Sequence, residues 1–264
     1  MTYLLVSPLH VWAKTSTGYF VNVLQLETHN CLQASPLHTL TPNMVASIPN
    51  DIFQFSTYAA LEQGFNDGQP RASDLTSHGT HGLGTFEDGD LMILSDGLAY
   101  AVHNDHTVQP AAPTSRLPFA MVTVFQPLHI WPSTRLNLQS LESQLSSLGL
   151  LPGITGKNSL LPFQIEGTFR TIKVVAGKAS DEPKALSQVR GTIFGFAVPA
   201  WLNAISGPRL HCHFLSEDDG GRSRMGGKVA DFEVAGSVNV MVGKCGRFHL
   251  GFPQSDGWEA VKLS

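Results

Sequence analysis

The chain has 264 residues, 42% of them hydrophobic and 14% charged, with 17 Lys and Arg against 21 Asp and Glu. That length holds one large domain or two small ones around an ample core, and the small acidic excess excludes a protein that grips nucleic acid through its phosphates. Three widely spaced cysteines, Cys31, Cys212 and Cys245, exclude a disulfide framework and point to a reducing, cytoplasmic setting.

Residues 1–50 mix short apolar pieces with Pro, His, Asn and Thr, and are read as an N-terminal extension, only partly ordered. The apolar start from Met1 to Val6 is cut short by Pro8 and His10 and has no basic residue before it, which disfavours a secretory signal. No run approaches the roughly 18 apolar residues of a membrane span. A clearer pattern starts at Asp51 to Thr57, followed by a short helix from Tyr58 to Gln63 that ends at Gly64.

From Thr80 the chain becomes strand-like. Leu91 to Leu94 and Leu98 to Val102 flank Ser95, Asp96 and Gly97, a hairpin turn. A loop follows from Asp105 to Pro118, then a buried strand rich in β-formers from Phe119 to Phe125. Leu138, Leu141, Leu145 and Leu148 recur at helical spacing, with Gly149 where a C-terminal cap belongs. Leu151, Pro152 and Gly153 mark a break, dividing a domain of residues 51–264 into parts of about 51–155 and 156–264.

The second part is mostly strands: Phe163 to Val175, Gly191 to Val198, Arg209 to Leu215, Lys228 to Val234 and Val238 to Val242. The class is α+β, dominated by sheet, with a few helices on its faces. Within Arg209 to Leu215, alternation sends Leu210, Cys212 and Phe214 to one face and His211, His213 and Leu215 to the other. Two imidazoles side by side are a pair of nitrogen donors suited to a metal such as Zn²⁺. Cys212 falls on the opposite face and reads as a packed core thiol. Gly82 and Gly84 lack the context of a nucleotide-binding loop.

Six separate stretches, in order from about residue 51 to the end, resemble alpha-acetolactate decarboxylases. They are Phe53 to Thr57; Gly82 to Phe86 with Asp88 to Asp90; Pro118 to Ala120 with Phe125; Gly167 to Phe169; Gly191 to Phe196 with Pro199; and His211-x-His213-Phe214 with Gly226 and Gly227. The resemblance implies a two-part, β-rich fold with mixed and antiparallel sheets, and a homodimer. It implies a Zn²⁺ held by three His and a carbon–carbon lyase that converts α-acetolactate to acetoin and CO₂, in acetoin and butanediol metabolism. The substrate is an α-hydroxy-β-keto acid whose bonding electrons flow into the ketone as CO₂ leaves. A cation is needed where that charge develops, and an acid must protonate the carbon.

Carried over residue by residue, the metal ligands are His211 and His213, and the carboxylate near the substrate oxygens is Asp90, one methylene shorter than the family's Glu. Three positions depart. The third His of the family's Gly-Gly-His is here Lys228. The family's carboxylate-binding Arg aligns with Val175, and Lys173, two residues earlier on the same strand face, is the substitute anchor, though it lacks the planar fork. The family's C-terminal Glu has only Glu259 as a counterpart. These departures leave three readings. In the first, His78, His81, Asp90 or Glu217 completes an altered zinc site. In the second, the enzyme is repurposed, for rearrangement or isomerisation of another α-hydroxy-β-keto acid or for Schiff-base chemistry at Lys228. In the third, it is an inactive binding relative. The spacing His211-x-His213-x₃-Glu217 also resembles the metal motif of cupin barrels, which leaves the other five stretches unexplained.

Overall fold

The computed structural model describes residues 5–7, 10–14, 20–22, 50–146, 157–177, 182–221 and 223–263. The chain divides into two compact units, 1–45 and 46–264. In the first, strands β1 (Leu5–Ser7), β2 (His10–Lys14) and β3 (Phe20–Asn22) pair as an antiparallel sheet. Apart from Asn50, the remainder of the expected N-terminal extension lies outside the described residues.

The second unit holds two sheets. The seven-stranded sheet contains β4 (Asp51–Phe55), β5 (His81–Thr85), β6 (Leu91–Ser95), β7 (Leu98–Val102), β8 (Val108–Pro110) and β9 (Phe119–Thr123), with β16 (Arg247–Gly251) on its edge. Its order is β16-β4-β9-β5-β6-β7-β8, antiparallel except for the parallel pair β16–β4. The six-stranded sheet contains β10 (His129–Ser133), β11 (Leu161–Val175), β12 (Lys184–Ala197), β13 (Leu210–Ser216), β14 (Gly226–Val234) and β15 (Val238–Val242), all antiparallel. The mixed and antiparallel sheets match the expected fold class.

Local chemistry sets several of these elements. Asp96 (φ 51°) and Gly97 (φ 79°) both take left-handed backbone, which the two-residue turn between β6 and β7 requires. Helix α1 (Tyr58–Glu62) is capped by Thr57, whose hydroxyl accepts from the Ala60 amide at 3.2 Å. A second short helix, α2 (Ala72–Leu75), lies on the outer face of the seven-stranded sheet. Helix α3 (Leu138–Ser146) buries Leu141 and Leu145 in the core of the six-stranded sheet, and its expected continuation to Leu148 and Gly149 lies outside the described residues. Two further short helices are α4 (Asn203–Ser206) and α5 (Asp256–Glu259).

The strands do not divide at the break near residue 155, which itself falls outside the described residues. β10 precedes it yet pairs with β15, while β16 returns to pair with β4. The expected loop from Asp105 to Pro118 contains β8, because Val108 to Pro110 extend the β6–β7 hairpin by one more strand.

β14 pairs with both β13 and β11, so β11, β12, β13 and β14 close into a ring. Phe169, Ile172, Val174, Cys212, Phe214, Val229 and Phe232 form a single buried cluster. The opposite face of β12 and β13 meets the seven-stranded sheet. There Phe194 and Phe196 join Ile52, Leu83, Phe119 and Met121, and Leu215 joins Leu91, Ile93, Val102 and Val108. β9 is buried on both faces, with Phe119 and Met121 in one core and Ala120 and Val122 in another.

Candidate active site

The two histidines stand where their strand alternation puts them. Cys212 and Phe214 lie in the ring's core, and His211 and His213 face the seven-stranded sheet at 4% and 2% exposure. Their ring centroids are 5.9 Å apart. Each ring is oriented by a carbonyl: His211 Nδ1 donates to Ser206 O at 3.0 Å, and His213 Nδ1 to Met92 O at 3.1 Å. A carbonyl only accepts, so Nδ1 carries the proton in both rings and Nε2 is the lone-pair nitrogen. Burial holds both rings neutral, lowering the His211 pKa to about 4 and that of His213 well below its usual range. The positive charge of Lys228 pushes both the same way, against the two carbonyl hydrogen bonds. The same burial raises the Cys212 thiol to about 12, which keeps it an inert core group.

A buried polar relay supports His211 from behind. Gln54 Nε2 donates to Ser56 O at 2.8 Å and Ile205 O at 2.7 Å, while its Oε1 accepts from Ser206 Oγ at 2.6 Å. Gln54 and Ser206 are both fully buried. Gln54→Leu would strand a hydroxyl and two carbonyls without water, so a loss of about 3 kcal/mol is expected in urea denaturation. A loss under about 0.5 kcal/mol would mean that the relay holds nothing in place.

Lys228 reaches the pair from the neighbouring strand. It is the register partner of His213 on β13 and of Val175 on β11. Residues directly opposite across a ladder share a face, so its side chain enters the space beside the imidazoles. Its Nζ donates to the Tyr58 hydroxyl at 3.1 Å and lies 5.5 Å from the centre of that ring. The Tyr58 ring meets the His211 ring edge-on at 5.3 Å, and Phe119 stacks on His211 at 5.9 Å. Tyr58 and Lys228 therefore cover the imidazoles on the side facing solvent.

In front of that pair lies a cleft of about 410 Å³, lined by Tyr58, Glu62, Val175 and Lys228 together with Thr85, Gly89 and Leu91. A second hollow of about 380 Å³ shares Tyr58, Glu62 and Lys228 with it and runs to Gly207 and Pro208. Volumes of this size suit a small molecule. Tyr58 and Glu62 are four residues apart on α1, so both project from one face of the helix. Sequence reasoning placed the helix but assigned neither residue; their i, i+4 spacing was the signal.

The other expected site residues are held elsewhere. Gly89 and Leu91 line the cleft, whereas Asp90 turns to His103, its carboxylate 2.6 Å from His103 Nδ1. Lys173 shares the strand face of Val175, but its Nζ lies 4.0 Å from Asp231 and its side chain is half exposed. Glu217 pairs with Arg190 at 2.7 Å. His78 stacks on Phe53, and His81 sits against Phe194 with its Nε2 3.5 Å from Asp96. Glu259 ends α5 as an exposed residue.

Among the described residues, no three His, Cys, Asp or Glu converge to hold a metal ion. None of His78, His81, Asp90 and Glu217 completes the pair formed by His211 and His213. The group beside that pair is an amine whose charge bears on both rings. A protonated amine has no lone pair to give and repels a dication. The donor set does not fit a zinc ion.

Residues 52–264 match the family model for alpha-acetolactate decarboxylase. The alpha-acetolactate decarboxylase of Methylococcus capsulatus is 28% identical over 222 residues, spanning 78% of this chain and 81% of that enzyme. That of Bacillus subtilis is 29% identical over 199 residues, spanning 69% and 74%. The crystal structure of alpha-acetolactate decarboxylase from Bacillus subtilis strain 168 superposes with a TM-score of 0.70 at 26% identity, covering 80% of this chain and 93% of that one. A Staphylococcus aureus protein of unknown function, described as similar to alpha-acetolactate decarboxylase, shares the fold with a TM-score of 0.71 at 23% identity, covering 81% and 95%. The order of the matched motifs, the paired sheets and the family match together establish that the chain belongs to the alpha-acetolactate decarboxylase family.

Proposed function

We propose that the chain decarboxylates α-acetolactate to acetoin in the cleft formed by Tyr58, Glu62 and Lys228. The reading is carried by one observation: on this family's fold, a cation, a phenol and a carboxyl group line the same small cleft. Decarboxylation of this β-keto acid breaks the bond between the carboxylate and the carbinol carbon. The electron pair moves toward the ketone, whose oxygen becomes negative, and one proton is taken up at carbon for each CO₂ released.

Each cleft residue has a part in that sequence. The Lys228 Nζ is a fixed positive charge where the oxyanion forms. The Tyr58 oxygen accepts from Lys228, so its own O–H is left to donate to the same oxyanion. We assign the proton transfer to carbon to Glu62. His211 and His213 form the neutral wall behind Lys228, and Gln54 and Ser206 fix the ring of His211.

The test is acetoin formation from racemic α-acetolactate by the purified chain. Tyr58→Phe is expected to lower kcat about tenfold, and Glu62→Gln about a hundredfold. No acetoin from the parent protein above the spontaneous rate would refute the assignment. Rates equal to the parent's in both variants would move the chemistry out of this cleft.

A further inference from the structure

We infer that the Lys228 ammonium takes the place of a metal cation beside His211 and His213, and that the reaction runs without a metal ion. This rests on the decarboxylase reading above. The register is the first support. Lys228 is paired directly with His213 across the β13–β14 ladder, so a nitrogen on its side chain shares the face of the two imidazoles. A third imidazole at this position would stand beside the other two; the sequence puts an amine there.

The second support is how the amine is held. Its Nζ donates to Tyr58 at 3.1 Å, and the Tyr58 ring itself leans on His211. The amine is thus fastened over the imidazole pair and also lines the cleft. The third support is the donor count. His211 and His213 have no third His, Cys, Asp or Glu converging with them among the described residues. A dication placed there would meet two neutral nitrogens and a like charge.

The chemistry is satisfied by the substitution. What the departing CO₂ leaves behind is a pair of electrons on the ketone side, and the requirement is positive charge at that oxygen. An ammonium supplies the charge and a hydrogen-bond donor. It gives up no electron and forms no bond to carbon. The net change remains substrate anion plus one proton to acetoin plus CO₂.

The experiment compares the parent chain with Lys228→Met, Lys228→Arg and Lys228→His, each checked for folding by its thermal transition. After exhaustive dialysis against EDTA, the parent protein is expected to keep its acetoin-forming rate within twofold. Lys228→Met is expected to lose at least a hundredfold, and Lys228→Arg to keep a tenth or more. Loss of the parent rate on chelation, with recovery on adding zinc chloride, would overturn the inference. So would a Lys228→Met rate within threefold of the parent, or substrate trapped on Lys228 by borohydride, which would make the amine a nucleophile.

Zinc binding gives a readout independent of turnover. Titrated with zinc chloride, the parent is expected to bind no stoichiometric metal, and Lys228→His to bind about one ion per chain. That result upholds the substitution even if the parent fails to turn over acetolactate, in which case only the substrate assignment falls. Stoichiometric zinc in the parent, or none in Lys228→His, overturns it.

Discussion

Gly195→Ala is expected to destabilise the protein by about 3 kcal/mol or more and to displace the strand that carries both histidines. Gly195 on β12 is the register partner of Cys212 on β13. A Cβ added there would lie 2.2 Å from Cys212 Cβ and 2.4 Å from His211 O. Both are far inside contact distance, and one of them is main chain, so no side-chain rotation relieves the clash. Ordinary cross-strand neighbours stand about 5 Å apart; the ring coils so tightly here that only hydrogen fits. The strand must shift, and the carbonyl that moves first belongs to His211. Urea denaturation should show the lost stability, and acetoin formation should fall with it. A variant with the parent's urea midpoint would mean that β12 and β13 lie farther apart than described.

Acid should destabilise the fold through the buried imidazoles. His211 titrates at about 4 in the folded protein, against 6.5 for an ordinary histidine. Above pH 6.5 neither the folded nor the unfolded chain holds the extra proton, and stability is at its full value. Between 6.5 and about 4 the unfolded chain binds the proton and the folded chain does not. Stability therefore falls as pH falls, and the loss levels off below the folded value. One unit of separation is worth about 1.4 kcal/mol, so His211 alone removes about 3 kcal/mol between pH 7 and pH 4. His213 is shifted in the same direction by burial and adds to the fall. Urea midpoints at pH 7, 5.5 and 4 measure this, and His211→Gln should flatten the curve. A parent midpoint that does not move between pH 7 and pH 5 would contradict neutral, buried rings.

The features legible in the sequence were those set by neighbours along the chain. Alternation in Leu210 to Leu215 placed Cys212 in the core and the histidines on the other face, as β13 shows. The Asp96–Gly97 turn and the Leu141 and Leu145 stripe of α3 were readable for the same reason. What escaped depends on distant partners. Tyr58 and Lys228 are 170 residues apart, and only the folded chain brings their side chains within hydrogen-bond distance. β10 was missed because its strand holds Pro132, which an edge position tolerates. Motif position points to Asp90, and the strand face of Val175 points to Lys173, but neither says which neighbour a carboxylate or an amine will meet. His103 and Asp231 are those neighbours.

The parallel pairing of β16 with β4 has a consequence for biosynthesis. Arg247 lies beside Asp51, 196 residues earlier in the chain. During synthesis the outer edge of β4 has no strand to bond until residues 247–251 have left the ribosome. Closing so long a loop is slow, and an unpaired edge strand is a template for the wrong neighbour in the meantime. β16 thus seals a strand made 196 residues before it, and a nascent chain cut before residue 247 would leave that edge open for good.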